Sequence, residues 1–151
     1  MTSRRDFLIA TAGGIGLATV SRPAWATPAA MQDAIRKVTG GAPLRSGRVK
    51  LDVPPLIDNG NSVALAVAVE SPMTPSDYVK AIHVFTERNP LPNVVSVHLG
   101  PRAGRARIAT RVRLADTQTV LAIAELSDGS YWTDSVQVVV TLSACLEEVQ
   151  V

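Results

Sequence analysis

The chain lacks most of the residues on which enzymes and metal sites depend. Its 151 residues include one cysteine, Cys145, and two histidines, His83 and His98. Neither histidine lies in a ligand-spaced cluster with cysteine or acidic residues, and both fall in predicted strands, where a core or sheet-surface role is the common one. The sequence also has no haem-attachment motif, phosphate-binding glycine loop or nucleophile elbow. We therefore expect a protein that is not an enzyme, with no catalytic residues, no metal and no cofactor.

A surplus of positive charge is also missing once the first segment is set aside. The whole chain has 15 basic and 13 acidic residues. Residues 1–26 hold three of the basic residues and one of the acidic residues, so residues 27–151 contain 12 of each. Because phosphate contacts need an excess of Lys and Arg, we do not expect nucleic-acid binding.

Residues 1–26 have the three parts of a bacterial export signal. Ser3-Arg4-Arg5-Asp6-Phe7-Leu8 is a twin-arginine motif, an apolar stretch follows, and Ala24-Trp25-Ala26 supplies the small residues that a signal peptidase reads. The alternative is an uncleaved anchor, but the apolar stretch is too short and too rich in glycine for a stable membrane span. We predict a periplasmic mature protein that begins at Thr27 and has no membrane segment.

A single cysteine is unusual in an exported protein because it cannot form an internal disulfide. In an oxidising compartment it is either a buried spectator or a reactive thiol with an outside partner. Cys145 follows the last predicted strand, which ends at Leu142, by three residues, and terminal segments are rarely tied down. The position leaves open both a small hydrophobe packed beside Leu142 and a thiol that enters a pocket of another protein. The odd cysteine count favours the reactive thiol.

The chain divides into a short helical part and a long β part. Thr27-Pro28 predicts a helix start, Ala29 to Val38 a helix, and Gly40-Gly41 its end. We expect residues 27–47 to form this helix and a linker, residues 48–142 a β domain, and residues 143–151 a tail that bears the cysteine. Strands are predicted over residues 49–53, 62–70, 79–86, 94–99, 105–114, 118–126 and 135–142. About seven short strands with closely spaced turns are typical of an all-β, immunoglobulin-like antiparallel β-sandwich.

Two of the predicted strands have unusual faces. The strand over residues 105–114 carries four arginines on one face, which either attract anions or form a solvated surface. The strand over residues 118–126 is apolar on both faces, with Leu121 and Ile123 opposite Val120, Ala122 and Ala124. Such a strand is either covered on both sides or exposed to a partner protein. Leu121 and Ile123 are therefore candidate partner contacts.

Several short motifs, in this order, resemble the SoxY family over residues 50–145. They are Pro55 with Asp58-Asn59-Gly60, Ser71-Pro72-Met73, Asn89-Pro90-Leu91-Pro92, Thr110-Arg111-Val112-Arg113-Leu114 with Thr117-Gln118, Asp128-Gly129, and the strand before Cys145. The resemblance implies an immunoglobulin-like sandwich that pairs with SoxZ, a second small β-sandwich.

The resemblance also implies a sulfur carrier of the thiosulfate-oxidising system. In the family, a c-type cytochrome attaches thiosulfate oxidatively to the carrier cysteine. A hydrolase then releases sulfate, and a sulfane dehydrogenase oxidises the sulfur that remains. The family's carrier cysteine corresponds to Cys145, which is thereby implied to be the covalent attachment site.

The tail departs from the family pattern. The family cysteine usually lies in a Gly-Gly-Cys-Gly-Gly arm, and glycine gives that arm its backbone freedom. Here Cys145 lies between Ser143-Ala144 and Leu146-Glu147-Glu148. The two carboxylates disfavour a thiolate and repel anionic thiosulfate. Two alternatives therefore stand beside the carrier: an assembly module that pairs with a SoxZ-like subunit without carrying sulfur, and a redox-active thiol protein.

Overall fold

The computed structural model of the chain describes residues 26–142. The predicted leader, apart from Ala26, and the predicted tail with Cys145 lie outside this range. Within it, one α-helix precedes nine strands, and a turn of 3-10 helix (Pro101–Ala103) separates the sixth and seventh strands. The elements are α1 (Pro28–Thr39), β1 (Leu44–Ser46), β2 (Val49–Asp52), β3 (Leu56–Ile57), β4 (Val63–Val69), β5 (Val79–Thr86), β6 (Asn93–His98), β7 (Arg107–Val112), β8 (Gln118–Leu126) and β9 (Tyr131–Val140).

Helix α1 begins and ends where its capping residues predict. The side chain of Thr27 accepts a hydrogen bond from the backbone N–H of Ala30 (3.2 Å), and Gly40 ends the helix with a φ of 62°. Met31 and Ile35, one turn apart, are buried against the sheet below. Over residues 26–142, no helix combines the length and the apolar character that crossing a membrane requires.

The strands form two sheets that pack face to face, which confirms the predicted immunoglobulin-like β-sandwich. One sheet has the order β1-β9-β8-β5-β6, with β3 also paired to β9, and the other has the order β2-β4-β7. Alternation decides which residues lie between the sheets. In β4, the valines and the leucine point inward and are buried, while the alanines point outward. The main core lies between the sheets, and α1 covers part of the outer face of the larger sheet.

Two short strands were not predicted. The segment expected to be a linker, Pro43 to Gly47, contains β1, which pairs in parallel with the beginning of β9. Strand β3 pairs in parallel with the end of β9, on the same edge. The sheet is therefore not purely antiparallel. With three and two residues, these strands are too short to show a hydrophobic period, and their hydrogen bonds to β9 define them.

The last strand begins four residues earlier than predicted. Gly129, with a φ of 81°, makes a hairpin turn, and Tyr131 pairs directly with Glu125 of β8. The added residues have a packing role, since the ring of Trp132 lies against the main core and the guanidinium of Arg48 lies 5.2 Å from its centre.

The arginine-rich strand is shorter than predicted and lies at an edge of its sheet. Strand β7 pairs only with β4. On the face opposite the arginines, Val112 is buried, Ile108 is half-buried and Thr110 is exposed, because no strand covers the free side of this edge. All four arginines are exposed: Arg105, Arg107, Arg111 and Arg113.

Candidate functional site

The end of β9 is where the chain leaves the sandwich toward Cys145. After Val140, the N–H of Thr141 donates to the carbonyl of Ile57 (3.0 Å), and its hydroxyl donates to the carbonyl of Asp58 (3.0 Å). These hydrogen bonds anchor the chain as far as Thr141. Cys145 follows Leu142, the last described residue, by three residues and lies outside the described range. We call this end of the sandwich the exit end. It comprises residues 57–62, 87–94, 111–118 and 140–142.

A single residue, Gly60, joins the outgoing chain to the segment that follows the arginine-rich strand β7. The N–H of Gly60 donates to the carbonyl of Leu142 (2.8 Å), and the carbonyl of Gly60 accepts from the N–H of Leu114 (2.9 Å). Asn59 closes the turn, since its side-chain oxygen accepts from the N–H of Asn61 (2.9 Å). Residues 58–61, whose asparagines and glycine favour a turn, thus form one, and it bridges the end of the described chain and the segment after β7.

Thr117 fixes the last residue of β9 to the neighbouring turn. Its hydroxyl oxygen accepts a hydrogen bond from the N–H of Val140 (3.0 Å). The N–H of Thr117 itself donates to the carboxylate of Asp116 (2.7 Å), which orders the turn. The direction in which the chain leaves β9 is thus set by contacts on both sides of the strand.

Behind these turns lies a buried polar network built on Asn89 and Gln118. These side chains are only 7% and 1% exposed. The Asn89 oxygen accepts from the N–H of Ala115 (3.0 Å) and from the Gln118 amide (3.1 Å), and the Asn89 amide donates to the carbonyl of Arg113 (2.7 Å). The Gln118 oxygen accepts from the N–H of Arg88 (2.8 Å). Because each of these buried groups has a partner, the network holds the two turns rigidly together.

Three motifs of the family resemblance meet at the exit end. The turn over residues 58–60, the segment 89–92 and the pair Thr117-Gln118 are linked by the hydrogen bonds described above. Ser71-Pro72-Met73 and Asp128-Gly129 lie at the opposite end, where β5 begins and β8 ends. Sequence reasoning identified these motifs but missed that Asn89 and Gln118 contact each other. The one sequence signal for this contact was that both residues belong to motifs of the same family resemblance.

An open groove of about 450 Å³ lies between the turn over residues 89–94 and the end of β7. Its lining is partly apolar, and Leu91 is 73% exposed. Two guanidinium groups border it, and that of Arg111 is held by a hydrogen bond to the hydroxyl of Ser62 (3.2 Å). Over residues 26–142, neither Arg111 nor Arg113 forms an ion pair. The groove is lined by Asn89, Pro90, Leu91, Asn93, Val94, Arg111, Val112 and Arg113.

The two histidines lie apart from the exit, on the outer face of the larger sheet. Nδ1 of His83 is 2.9 Å from the hydroxyl of Ser96, and the ring of His98 meets the His83 ring edge-on at 6.1 Å. Burial lowers the pKa of His83, and the neighbouring His98 lowers it further. Within the described range, no group of three or more metal-ligating side chains comes together.

The candidate partner contacts lie beneath α1. Ile123 is 0% exposed and belongs to a cluster with Met31, Ile35 and Phe85, while Leu121 is half-buried beside it. Strand β8 is therefore covered on both sides, which was one of the two alternatives. Contact of Leu121 or Ile123 with a partner stays a prediction. For Ile123 it would require α1 to move.

Solved structures show where this fold occurs elsewhere. The sulfur carrier protein SoxY from Chlorobium limicola f thiosulfatophilum is 25% identical, with a TM-score of 0.63 over 77% of this chain and 100% of its own. A superoxide reductase (neelaredoxin) from Ignicoccus hospitalis is 15% identical, with a TM-score of 0.56 over 76% and 94%. A superoxide reductase from Nanoarchaeum equitans is 9% identical, with a TM-score of 0.52 over 64% and 100%. The two reductases show a shared fold alone.

The family described as "Sulfur oxidation protein SoxY" matches residues 35–145, from the middle of α1 to the cysteine. No curated protein matches the chain. The family match covers most of the chain and includes all three motifs of the exit end. The chain therefore belongs to the SoxY family, whose members are sulfur carrier proteins and not enzymes.

Proposed function

We propose that this protein carries intermediates of thiosulfate oxidation in the periplasm, bound covalently to Cys145. The observation that carries the proposal is the extent of the family match, which runs to Cys145, the only cysteine of the chain. The likeness to a solved sulfur carrier supports it. The twin-arginine motif supports export to the periplasm.

The anchoring of the outgoing chain suits this role. Hydrogen bonds hold the backbone up to Leu142, and three further residues extend at most about 10 Å to the thiol. A carrier needs a rigid body that partner proteins recognise and a short segment that enters their sites. The exit end supplies the first of these, and residues 143–151 supply the second.

The proposed loading chemistry is an oxidation followed by a hydrolysis. The Cys145 thiolate bonds to the outer sulfur of thiosulfate, and two electrons pass to a c-type cytochrome, which gives a cysteine S-thiosulfonate. Water then attacks the sulfonate sulfur, so that sulfate and two protons leave and a persulfide stays on the cysteine. Both steps require partner enzymes, because the carrier itself supplies only the thiol.

We further propose that the working form is a heterodimer with a SoxZ-like subunit. A second candidate function is that of an assembly module, which forms this heterodimer without carrying sulfur. The observation that favours it is the absence of glycine beside Cys145, where Leu146 and Glu147 follow instead. The two functions share the scaffold and differ only in what happens at the thiol.

Mass spectrometry of the protein from thiosulfate-grown cells separates the two functions. A carrier shows sulfur adducts on Cys145, and Cys145→Ser abolishes them while fold and partner binding stay intact. Replacing Ser143-Ala144 and Leu146-Glu147 with glycines should speed alkylation and loading, since the bulk and the negative charge beside the thiol are reduced. If neither tail ever carries sulfur under these conditions, the carrier function fails and the assembly module takes its place.

A further inference from the structure

The groove at the exit end combines two positive charges with apolar surface. Arg111 and Arg113 are both exposed, and no carboxylate within residues 26–142 pairs with either of them. The hydrogen bond to Ser62 fixes the position of the Arg111 guanidinium. Beside the arginines, Leu91 and Val94 provide apolar contact area. An extended peptide with both acidic and apolar side chains matches this lining.

The chain itself contains such a peptide. Beyond Cys145 follow Leu146, Glu147, Glu148 and Val149, in which two carboxylates lie between two apolar side chains. We propose that the groove binds this acidic segment, residues 146–149, of the protein's own tail. Glu147 and Glu148 pair with Arg111 and Arg113, while Leu146 and Val149 contact the apolar wall.

The point at which the chain leaves the sandwich brings the groove within reach. Leu142 is bonded to Gly60, and Gly60 is bonded to Leu114. If each bond spans the spacing of paired strands, about 4.8 Å, Leu114 lies within about 10 Å of Leu142. Glu147 follows Leu142 by five residues, which extend to about 17 Å. The carboxylates therefore reach Arg113, next to Leu114, without any displacement of the sandwich.

Docking would restrict where the thiol lies. With Leu142 anchored at one side and residues 146–149 in the groove, Cys145 is held against the exit end. Because the ion pairs are exposed, the docking is weak, reversible and sensitive to salt. A partner that competes for the arginines or for the acidic segment releases the tail. The inference does not rest on the proposed sulfur chemistry, because it concerns only the position of the tail.

A nitroxide label on Cys145 tests the proposal, since the chain has no other cysteine. In the ¹⁵N-labelled protein, the label should broaden the amide signals of Leu91 and Val94 at low salt. Most of that broadening should be lost at about 1 M salt, where the screening length falls to about 3 Å. The amide of Gly60 should stay broadened in both conditions, because it is bonded to Leu142 only three residues from the label.

Charge reversal gives the matched controls. Glu147→Lys with Glu148→Lys should remove the broadening in the groove, and adding Arg111→Glu with Arg113→Glu should restore it. Lys37→Glu, on the exposed side of α1, should change nothing. The tail variant lies outside the sandwich, so it tests docking even if the arginine variant fails to fold.

Two outcomes would overturn the proposal. One is groove broadening that neither salt nor the lysine substitutions change. The other is that the native tail causes no broadening at Leu91 and Val94. This outcome overturns the proposal even if an added partner protein shifts the signals of these two residues. Sulfur loading of Cys145 is measured separately, so the docking and the proposed function fail independently.

Discussion

Replacing Asn89 with alanine should destabilise the protein by about 3 kcal/mol. The substitution removes three hydrogen bonds, each with a net contribution of about 1 kcal/mol. It also leaves the N–H of Ala115, a residue only 3% exposed, without its acceptor. An unsatisfied buried group of this kind costs about 1–3 kcal/mol, and this cost is part of the expected loss of about 3 kcal/mol, not an addition to it.

Urea unfolding of the mature protein measures this loss. The midpoint should fall while the slope with denaturant stays unchanged, because the folded and unfolded states expose the same surface as before. Asn61→Ala, an exposed asparagine in a turn, serves as the control and should change stability by no more than about 0.5 kcal/mol. Asn89→Asp keeps an acceptor oxygen for the N–H of Ala115, but it places a second carboxylate oxygen against the carbonyl of Arg113 and buries a charge. At neutral pH it should therefore destabilise the protein at least as much as Asn89→Ala.

Hydrogen exchange locates the effect within the exit end. The amide of Ala115 should exchange faster in Asn89→Ala, because its acceptor is gone, and less so in Asn89→Asp. The conclusion that this network holds the turns together would be refuted by two results together: a decrease in the free energy of unfolding of Asn89→Ala no larger than that of Asn61→Ala, and unchanged hydrogen exchange at Ala115.

Three further expectations concern other parts of the chain. Leu121→Glu should weaken binding of a SoxZ-like subunit in a calorimetric titration without unfolding the domain. Ile123→Glu, at a fully buried site, should instead lower the melting temperature strongly. An equally large decrease of the melting temperature in Leu121→Glu would show that Leu121 is a core residue. The pKa of His83 is lowered in the folded state, so the unfolded chain binds a proton more readily. The free energy of unfolding should therefore fall as pH drops below about 6.5, and a fall of the same size in His83→Gln would contradict the assignment. Replacing Arg4 and Arg5 with lysine should leave precursor in the cytoplasm in a cell fractionation, and normal periplasmic levels would exclude the twin-arginine route.

The parts of the fold that could be predicted are those whose sequence repeats a simple physical pattern. Strand β4 alternates valine or leucine with alanine, and α1 has a threonine cap, an initial proline and a terminal glycine. Strands β1 and β3 were missed because their existence depends on hydrogen bonds to a strand far away in the chain. The start of β9 was missed because Tyr131 to Asp134 is polar and aromatic, with no clear alternation.

The candidate site shows the same limit. The resemblance named the segments 58–60, 89–92 and 117–118, but no periodicity says that they share one end of the sandwich. Asn89 and Gln118 are 29 residues apart, and only the folded chain brings their amides to 3.1 Å. The role of Cys145 remains a prediction from sequence, since it lies outside the described residues.

The pairing of β9 has a mechanical consequence. The strand is bonded to β8 along one edge and to β1 and β3 along the other, and the chain leaves it along the strand direction. A partner that draws on the tail therefore pulls parallel to β9, so that the ladder bonds on both edges bear the load together, in shear. A pull across the strand would instead open the bonds one at a time. We expect a high unfolding force when the protein is pulled by the residues after Leu142. Under such a force, the short strands β1 and β3 should detach from β9 before β9 separates from β8.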